Sequence, residues 1–400
     1  MRYFAVDIGA EHHVVAAVDD DDKVIVRPFR FAEDAEGYRQ LRERLGDVGE
    51  VQIAMEATGH YWQNLFAFLV AEGFKQLVLI NPLRTRRFAE EDLQRTKTDS
   101  VDAVGIARFL RQKRPTPLAM PDEATRHLRE LVRLRDQLMA QQQEQVNRLH
   151  RLVDLGFPEL TRHIDDLSGA LATTLLSHYP TARSLAGQRP ARLAKLRYGA
   201  RHLLGEARAT AIIADAKRSV GAHHGEVYQT EVRYACEDLE LLRRRLSSID
   251  HDIDQLIAEH KIGKLLVTIP GVGPLTAARV MAEAGNLGAF KDGNALASYT
   301  GLVPGLRHSG KHTPARGALS PLGNTRLRRA LYMPTLTAVH GANPWLTDFY
   351  QRLVARGKPK KLALLAAARK LLLAIFSVAK HQRPFALPPT FRAAGAGSSA

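Results

Sequence analysis

The 400-residue sequence predicts an α/β domain at the N-terminus, a long helical coiled-coil segment in the middle and a mostly helical C-terminal region. Three observations support this organisation. Apolar β-branched runs alternate with amphipathic stretches over residues 1–113, apolar residues recur at alternating spacings of 4 and 3 over residues 228–256, and cations collect after residue 260. A chain of this length is expected to bury two or three hydrophobic cores.

The first 113 residues predict secondary structure in the order βββαβαβα. Three strands, RYFAVDI, HHVVAAV and KVIVRPF, form an antiparallel meander in which the acidic turn at residues 19–22 separates the last two. The elements that follow are a helix from about Ala35 to Leu45, strand VQIAME, a helix around YWQNLFAFLVAEG, strand QLVLINP and a helix holding Asp99 and Asp102. This order predicts the ribonuclease-H-like fold, in which helices flank a mixed sheet.

Residues 114–260 predict a helical, coiled-coil linker with an insert of short helices at residues 156–223. The clearest signal is a seam with the period of a coiled coil. Its members are Tyr228, Val232, Ala235, Leu239, Leu242, Leu246, Ile249, Ile253 and Leu256. The seam needs a partner, which is either the segment Leu128 to Val153 of the same chain or another protomer. Ordinary core packing inside one domain is the alternative.

Residues 261–383 predict a helical C-terminal domain that begins with LLVTIPGVGPLTAARVMAEAG. Gly271 and Gly273 lie in a tight turn between two helices, where backbone N–H groups and a helix N-terminus can approach a phosphate closely. The pattern resembles a helix–hairpin–helix reader of the DNA backbone, and an ordinary helical hairpin is the alternative. Residues 384–400 predict a disordered tail.

The charge of the chain is unevenly distributed. The formal net charge is +15, and residues 261–400 hold 20 Lys and Arg against 3 Asp and Glu, a net +17. So basic a region predicts a polyanionic partner, above all nucleic acid. A solvated helix face is the alternative for the residues expected to contact phosphates, which are Arg326, Arg328, Arg329, Lys358, Lys360 and Lys361.

Composition also bears on location. The apolar run LALLAAARKLLLAIFSVAK is interrupted by Arg369 and Lys370, which favours a soluble helix over a membrane span. An aspartate stands in MRYFAVDIG where a signal peptide needs an apolar core. The single cysteine, Cys236, excludes an internal disulfide and a multi-cysteine zinc site. A cytoplasmic protein without a membrane partner is expected.

Four acidic residues occupy positions where they can converge. Asp7 lies within an apolar strand, where an unpaired carboxylate is costly to bury, and Glu56 ends a strand that neighbours it in this fold. Asp99 and Asp102 share one face of a helix. Four carboxylates form a site suited to Mg²⁺ or Mn²⁺ and to phosphodiester chemistry. A buried, hydrogen-bonded Asp7 and helix-capping roles for the others are the alternative.

A second candidate site lies in the glycine-rich stretch YTGLVPGLRHSGKHTPARGALSPLGNTRLRRAL. Ser309 stands there beside Arg307, His308, Lys311 and His312, cations that can stabilise a phosphorane. Ser-Gly is also ordinary turn chemistry, and Ser298 and Ser320 compete for the same role.

Eight motifs, in this order, resemble the insertion-sequence one-hundred-ten family, the DEDD/serine transposases that act as bridge-RNA-guided recombinases. The resemblance spans nearly the whole chain. The motifs are AVDIGAE with Asp7, MEATGHYW with Glu56, NPLRTRRFA, KTDSVDA with Asp99 and Asp102, IPGVG, GLVP followed by HSGK, LRRALYMP and RGKPKK.

The resemblance implies a RuvC-like N-terminal domain, a coiled-coil linker and a C-terminal transposase domain. It implies that Asp7, Glu56, Asp99 and Asp102 hold Mg²⁺, and that Ser309 attacks a DNA phosphate to form a phosphoserine link. Each active site would combine the acids of one protomer with the serine of another in a dimer of dimers. A structured guide RNA would pair with target and donor DNA.

The sequence departs from the family in two places. Residues 156–223 are longer than expected between the two domains, and ALSPLGN carries Pro-Leu where a more basic turn is common.

Three other functions compete with the transposase interpretation. One is a RuvC-like nuclease that uses water as its nucleophile, with the C-terminal half as a binding module. Another is a sugar-kinase or actin-like ATPase, because DIGAEHHVVAAVD resembles a phosphate loop, although the required second glycine-rich Asp loop is not found. The last is a catalytically dead nucleic-acid-binding relic, against which the intact acids and serine argue.

Overall fold

A computed structural model describes residues 1–57, 59–91, 99–115, 117, 122–303 and 323–387, with only the backbone at residues 91, 99 and 100. The chain forms two compact units, Met1–Met120 and Pro121–Ala400.

The first unit is built on a five-stranded mixed sheet. Its strands are β1 (Arg2–Asp7), β2 (His12–Val18), β3 (Val24–Ala32), β4 (Val51–Glu56) and β5 (Leu77–Ile80). Their order across the sheet is β3-β2-β1-β4-β5. The first three pair antiparallel, whereas β1, β4 and β5 pair in parallel. This arrangement is consistent with the predicted nuclease-like α/β domain.

Helices cover both faces of this sheet, in agreement with the apolar character of its strands. The helices are α1 (Ala35–Leu45), α2 (Trp62–Ala71), α3 (Pro82–Glu91) and α4 (Asp99–Lys113). On one face, Phe4 and Val6 pack with Leu41 of α1 and Leu65 of α2. On the other face, Ala5 packs with Ile106 and other residues of α4.

Helix α3 was not predicted, so the element order is βββαβαβαα rather than βββαβαβα. The helix begins at a start signal in the sequence, because Pro82 occupies its first position and the Asn81 side chain accepts the Leu83 N–H at 2.9 Å. Phe88 anchors its end, with its ring edge-on to Phe109 of α4 at 5.4 Å between centroids.

The second unit contains two long antiparallel helices, α5 (Glu123–Gly156) and, later in the chain, α10 (Glu226–Glu259). Arg135 Nε lies 2.5 Å from Asp250 Oδ1, and Arg148 Nη2 lies 3.7 Å from Glu231 Oε1. Buried members of the predicted seam on α10 include Val232, Leu239, Leu246 and Ile253. The seam therefore packs against the same chain, in two cores to which α5 and other helices contribute, whereas a coiled coil stays a prediction.

A small helical subdomain occupies the insert between these helices and has its own core, to which Leu152 of α5 and Leu239 of α10 contribute. A two-stranded hairpin accompanies its short helices. The elements are a 3-10 helix (Pro158–Arg162), α6 (Ala170–His178), α7 (Ala182–Ala186), α8 (Pro190–Leu193), β6 (Arg197–Tyr198), β7 (His202–Leu203) and α9 (Glu206–Lys217).

The C-terminal region packs against the other ends of α5 and α10, through Leu128 and Ile253 among others. The described elements are α11 (Lys261–Leu266), α12 (Pro274–Ala284), a 3-10 helix (Leu287–Ala289), α13 (Gly293–Thr300), α14 (Thr325–Ala330), α15 (Tyr332–Thr337), a π-helical turn (Ala338–Ala342), α16 (Pro344–Ala355) and α17 (Lys360–His381).

Helix α17 is long and apolar enough, by length and composition alone, to cross a membrane. Most of its apolar window is nevertheless buried inside the protein, and Leu371, Leu372 and Ile375 belong to the C-terminal core. The start of the predicted tail is also packed. The backbone N–H of Phe385 donates to Thr268 Oγ1 at 2.8 Å, and its ring lies 6.0 Å from that of Trp345.

Candidate active site

Two of the predicted acids lie side by side at the carboxyl ends of adjacent parallel strands. The register of β1 and β4 pairs Val6 with Met55, so the next residues along the two strands are Asp7 and Glu56. Side chains alternate between the two faces of a sheet. Because Ala5 and Ala54 belong to the core under α4, Asp7 and Glu56 lie on the α4 face as well. Both are half-buried.

Helix α4 brings its first turn towards the same end of the sheet. Ala103 packs with Val14 and Ala16 of β2, and Val14 is the residue opposite Asp7. At the other end of α4, Arg111 Nε lies 3.1 Å from Asp22 Oδ1, just beyond β2. The helix therefore runs antiparallel to β1, and half-buried Asp102 lies in its first turns. Asp99 is the first residue of α4, and its side chain lies outside the described atoms.

Glu56 has a partner that the sequence analysis missed. The buried Thr85 hydroxyl, on α3, donates to Glu56 Oε1. This contact fixes one carboxylate oxygen of Glu56 against the helix that follows β5. The Asn81–Pro82 helix start, placed directly after a strand that neighbours β4, is the sequence signal that could have revealed it.

Carboxylate oxygens are the ligands that Mg²⁺ and Mn²⁺ prefer, so the chemistry of these acids suits the predicted ion. Among the side chains that the structure describes, no three His, Cys, Asp or Glu residues form a group that could hold a metal ion. The described acids thus share one end of the sheet without forming a closed set of ligands.

A polar network around buried His13 supports the turn after Asp7 from the opposite face of the sheet. The Gly9 N–H donates to Nδ1 of fully buried His13 at 3.3 Å, which leaves the His13 Nε2–H to donate to Glu33. Glu33 also accepts from Tyr38 Oη at 2.7 Å and from Asn64 Nδ2 at 3.0 Å.

Burial and the hydrogen bonds of this network shift the pKa values of Glu33 and Tyr38. Burial favours a raised pKa for Glu33, but the hydrogen bonds from His13, Tyr38 and Asn64 outweigh it and hold the pKa below its ordinary 4.5. Burial and the hydrogen bond to Glu33 raise the pKa of Tyr38. Sequence reasoning missed these residues, because no local pattern shows that four distant polar side chains meet.

The predicted phosphate-binding cations of the C-terminal region differ in their exposure and in their contacts with other groups of the protein. Arg326 is exposed and lies 3.8 Å from Glu283 Oε1. The half-buried Arg328 donates to Gly301 O at 3.4 Å. The other four predicted cations are exposed as well, namely Arg329, Lys358, Lys360 and Lys361. Contact of any of them with phosphate stays a prediction.

The two glycines of the predicted hairpin have different environments. Gly271 has a φ of +93°, and a Cβ added there would lie 2.9 Å from the Cβ of Ala338. Gly273 precedes α12 with a φ of −88°, and a Cβ there would meet nothing within 4 Å. Packing alone thus accounts for a glycine at 271, whereas phosphate approach at this turn stays a prediction.

Two transposase family models match the chain. A model described as a transposase, of the DEDD IS110 type, matches residues 4–158, and one described as a transposase of the IS116/IS110/IS902 family matches residues 263–351. Together they cover more than half of the 400 residues. The chain belongs to the IS110 transposase family.

Similar proteins span most of this transposase. The 44.8 kDa protein of insertion element IS116 from Streptomyces clavuligerus is 29% identical, over 97% of this chain and 96% of its own length. The 43.6 kDa protein of IS110 from Streptomyces coelicolor is 30% identical, over 74% of each chain. A pilin gene-inverting protein from Moraxella bovis is 25% identical, over 85% of this chain and 83% of its own. The chain is therefore an insertion-sequence transposase of a family that acts on DNA.

The matched residues of the IS110-family transposase include Asp7, Glu56, Asp99 and Asp102 in the first segment, and Gly271, Gly273 and Ser309 in the second. Ser309, with Arg307, Lys311 and the competing Ser320, lies outside the described residues, whereas Ser298 is exposed on α13. Residues 159–262, which hold most of the insert, lie between the two matches.

Proposed function

We propose that this IS110-family transposase cuts and rejoins DNA strands through a phosphoserine intermediate on Ser309, with Mg²⁺ or Mn²⁺ held by Asp7, Glu56, Asp99 and Asp102. The observation that carries the proposal is the in-register placement of Asp7 and Glu56 at neighbouring strand ends, on the face covered by α4. Helix α4, which carries Asp102 and begins at Asp99, starts at the same end of the sheet, and this supports the proposal.

The Ser309 hydroxyl oxygen attacks the phosphorus of a DNA phosphodiester. A bond from Ser309 Oγ to phosphorus forms, a bond from phosphorus to a sugar oxygen breaks, and that sugar oxygen leaves as a hydroxyl with the proton that Ser309 gave up. A sugar hydroxyl of another strand then attacks the phosphoserine and restores the Ser309 hydroxyl. The number of phosphodiesters is conserved, so strands are exchanged without net hydrolysis.

A divalent cation held by these carboxylates would supply positive charge to stabilise the phosphate during the reaction. The protein's own contribution is to hold the carboxylates in position. Thr85 orients Glu56, and the Gly9–His13 hydrogen bond fixes the backbone that follows Asp7. Arg307 and Lys311 add charge next to Ser309 to stabilise the phosphorane.

The test is recovery of a covalent protein–DNA adduct under denaturing conditions. The parent should form one, Ser309→Ala should form none and lose strand exchange, and Asp102→Asn should lose both while still binding DNA. Ser298→Ala is the matched control, and it should behave like the parent. Full strand exchange by Ser309→Ala would refute the serine mechanism. DNA cleavage without an adduct would favour the water-using RuvC-like nuclease.

We also propose that a structured guide RNA directs the enzyme to target and donor DNA, and that two protomers complete each active site within a dimer of dimers. Residues 261–400 carry a net charge of +17, which supports a nucleic-acid partner. Sequencing RNA that co-purifies with the protein tests the guide. For the composite site, mixing Ser309→Ala with Asp102→Asn should restore exchange, because one intact site can assemble. Two inactive proteins that stay inactive together would contradict it.

A further inference from the structure

The insert subdomain carries a dense group of cations that the proposed chemistry does not use. Residues 189–201, RPARLAKLRYGAR, contain five Lys and Arg and no Asp or Glu. These residues, which we call the basic tip, comprise α8, β6 and the turn towards β7. The segment falls within residues 159–262, between the two family matches.

All five cations of the basic tip are exposed, namely Arg189, Arg192, Lys195, Arg197 and Arg201. Within the described ranges, none of the five makes an ion pair. The nearby pairs use other groups, since Asp215 is bound by Arg218 Nη2 at 2.6 Å and by His163 Nε2 at 2.9 Å. Cations crowded in this way repel one another, and an anionic partner would relieve that repulsion.

The basic tip is anchored on a folded platform. Leu193 and Leu204 are buried in the core of the subdomain. The Leu204 N–H donates to Leu196 O at 3.0 Å, and the Gly205 N–H donates to Ala194 O at 3.1 Å. The positions of the charges are therefore set by folded backbone, which lowers the entropy lost on binding an extended ligand.

The subdomain is held away from the C-terminal core by the helical pair. Val132 of α5 packs in the C-terminal core and Leu152 packs in the core of the subdomain. The twenty residues between them, at a rise of about 1.5 Å each, span about 30 Å. That distance corresponds to about nine base pairs of a DNA duplex at roughly 3.4 Å each.

We propose that the basic tip binds the backbone of duplex DNA, as a contact separate from that of the C-terminal region. Exposed cations that make no ion pair within the described ranges fit a regular row of phosphates. Sequence-specific RNA recognition instead uses aromatic rings that stack on splayed bases. The one aromatic ring of the tip, Tyr198, is half-buried and already stacked on His202, with centroids 5.6 Å apart. The inference concerns binding and does not depend on Ser309 or on the four acids.

The test compares two triple variants of the full-length protein. The tip variant is Arg192→Gln, Lys195→Gln, Arg197→Gln. The control is Arg39→Gln, Arg42→Gln, Arg352→Gln, which removes the same formal charge from arginines that lie within 2.9 Å of Glu36, Glu72 and Asp348. Affinity for a random-sequence DNA duplex is measured against salt concentration, with an RNA duplex of the same length in parallel. Thermal melting establishes that both variants are folded.

Each lost phosphate contact lowers the slope of log affinity against log salt by about 0.9, so three contacts lower it by about 2.7. Between about 50 and 200 mM salt, the parent should then lose about 40-fold more DNA affinity than the tip variant. The control variant should keep the parental slope. An unchanged slope in the tip variant, or equal losses in both variants, would overturn the proposal. So would a loss confined to the RNA duplex. Because no DNA is cut, these outcomes are independent of the phosphoserine mechanism.

Discussion

The glycine turn of the C-terminal region provides a sharp test of the packing described above. At Gly271, φ is +93°, and an added Cβ would lie 2.9 Å from Ala338 Cβ and 3.3 Å from Pro334 O. Ala338 lies in the core, so it cannot move aside freely. Gly271→Ala is therefore expected to destabilise the second unit.

The expected magnitude follows from three terms. A left-handed backbone costs a non-glycine residue about 1–2 kcal/mol. The close contact with Ala338 adds about 1–3 kcal/mol of overpacking. The alanine also restricts the backbone of the unfolded chain, which offsets about 0.4–1 kcal/mol of the destabilisation. The net loss is about 1–4.5 kcal/mol, or a fall in melting temperature of about 2–18 °C.

Gly273→Ala is the matched control, two residues away in the same turn. Its φ of −88° suits any residue, and no atom lies within 4 Å of the added Cβ. Replacing the glycine at the N-cap of α12 destabilises the helix slightly, whereas restricting the unfolded backbone stabilises the protein by a similar amount. The free energy of unfolding should therefore change by no more than about 0.5 kcal/mol. Thermal and urea unfolding measure both variants. Equal destabilisation by the two substitutions would refute the argument that Gly271 is required by packing.

Three further predictions follow from other parts of the molecule. On α10, Leu239→Ala should lower the free energy of unfolding by about 2–5 kcal/mol, measured by urea unfolding, because Leu239 is buried. Leu241→Ala is the control and should lower it by under about 0.5 kcal/mol, because Leu241 is 39% exposed. Similar losses in the two variants would contradict the packing of α10 on α5. The pKa of Glu33 lies below its ordinary 4.5 in the folded state, so its contribution to stability is present above that pH and is lost as pH falls through the folded value. Glu33→Gln should therefore reduce the loss of unfolding free energy between about pH 5 and pH 3. The same loss in the variant and the parent over this pH range would contradict the prediction. Thr85→Val should slow strand exchange about tenfold, because it removes the hydrogen bond to Glu56. Thr85→Ser keeps the hydroxyl and should exchange strands at close to the parental rate. Equal rates in the two variants would show that this hydrogen bond does not position Glu56.

Much of the first unit could be predicted from local pattern. The bounds of β2, α1 and β4 follow from their apolar runs and from turn and capping signals, and the structure reproduces the predicted residues. Helix α3 was missed because it is mostly polar and buries little beyond Thr85 and Phe88, although Asn81–Pro82 marks its start. The closeness of Asp7 and Glu56 followed from the fold, whereas the hydrogen bond from Thr85 to Glu56 joins two separate segments and leaves no periodic signal.

The sequence by itself determined the five strands of the first unit and most of its helices, the seam of α10, the basic C-terminal region and the family resemblance, because each depends on spacing or composition along the chain. Only the tertiary structure decided that the seam packs on α5 of the same chain, since periodicity specifies an apolar face and leaves its partner open. The same holds for Gly271, because a glycine needed for packing against Ala338 and a glycine that admits a phosphate look identical in sequence.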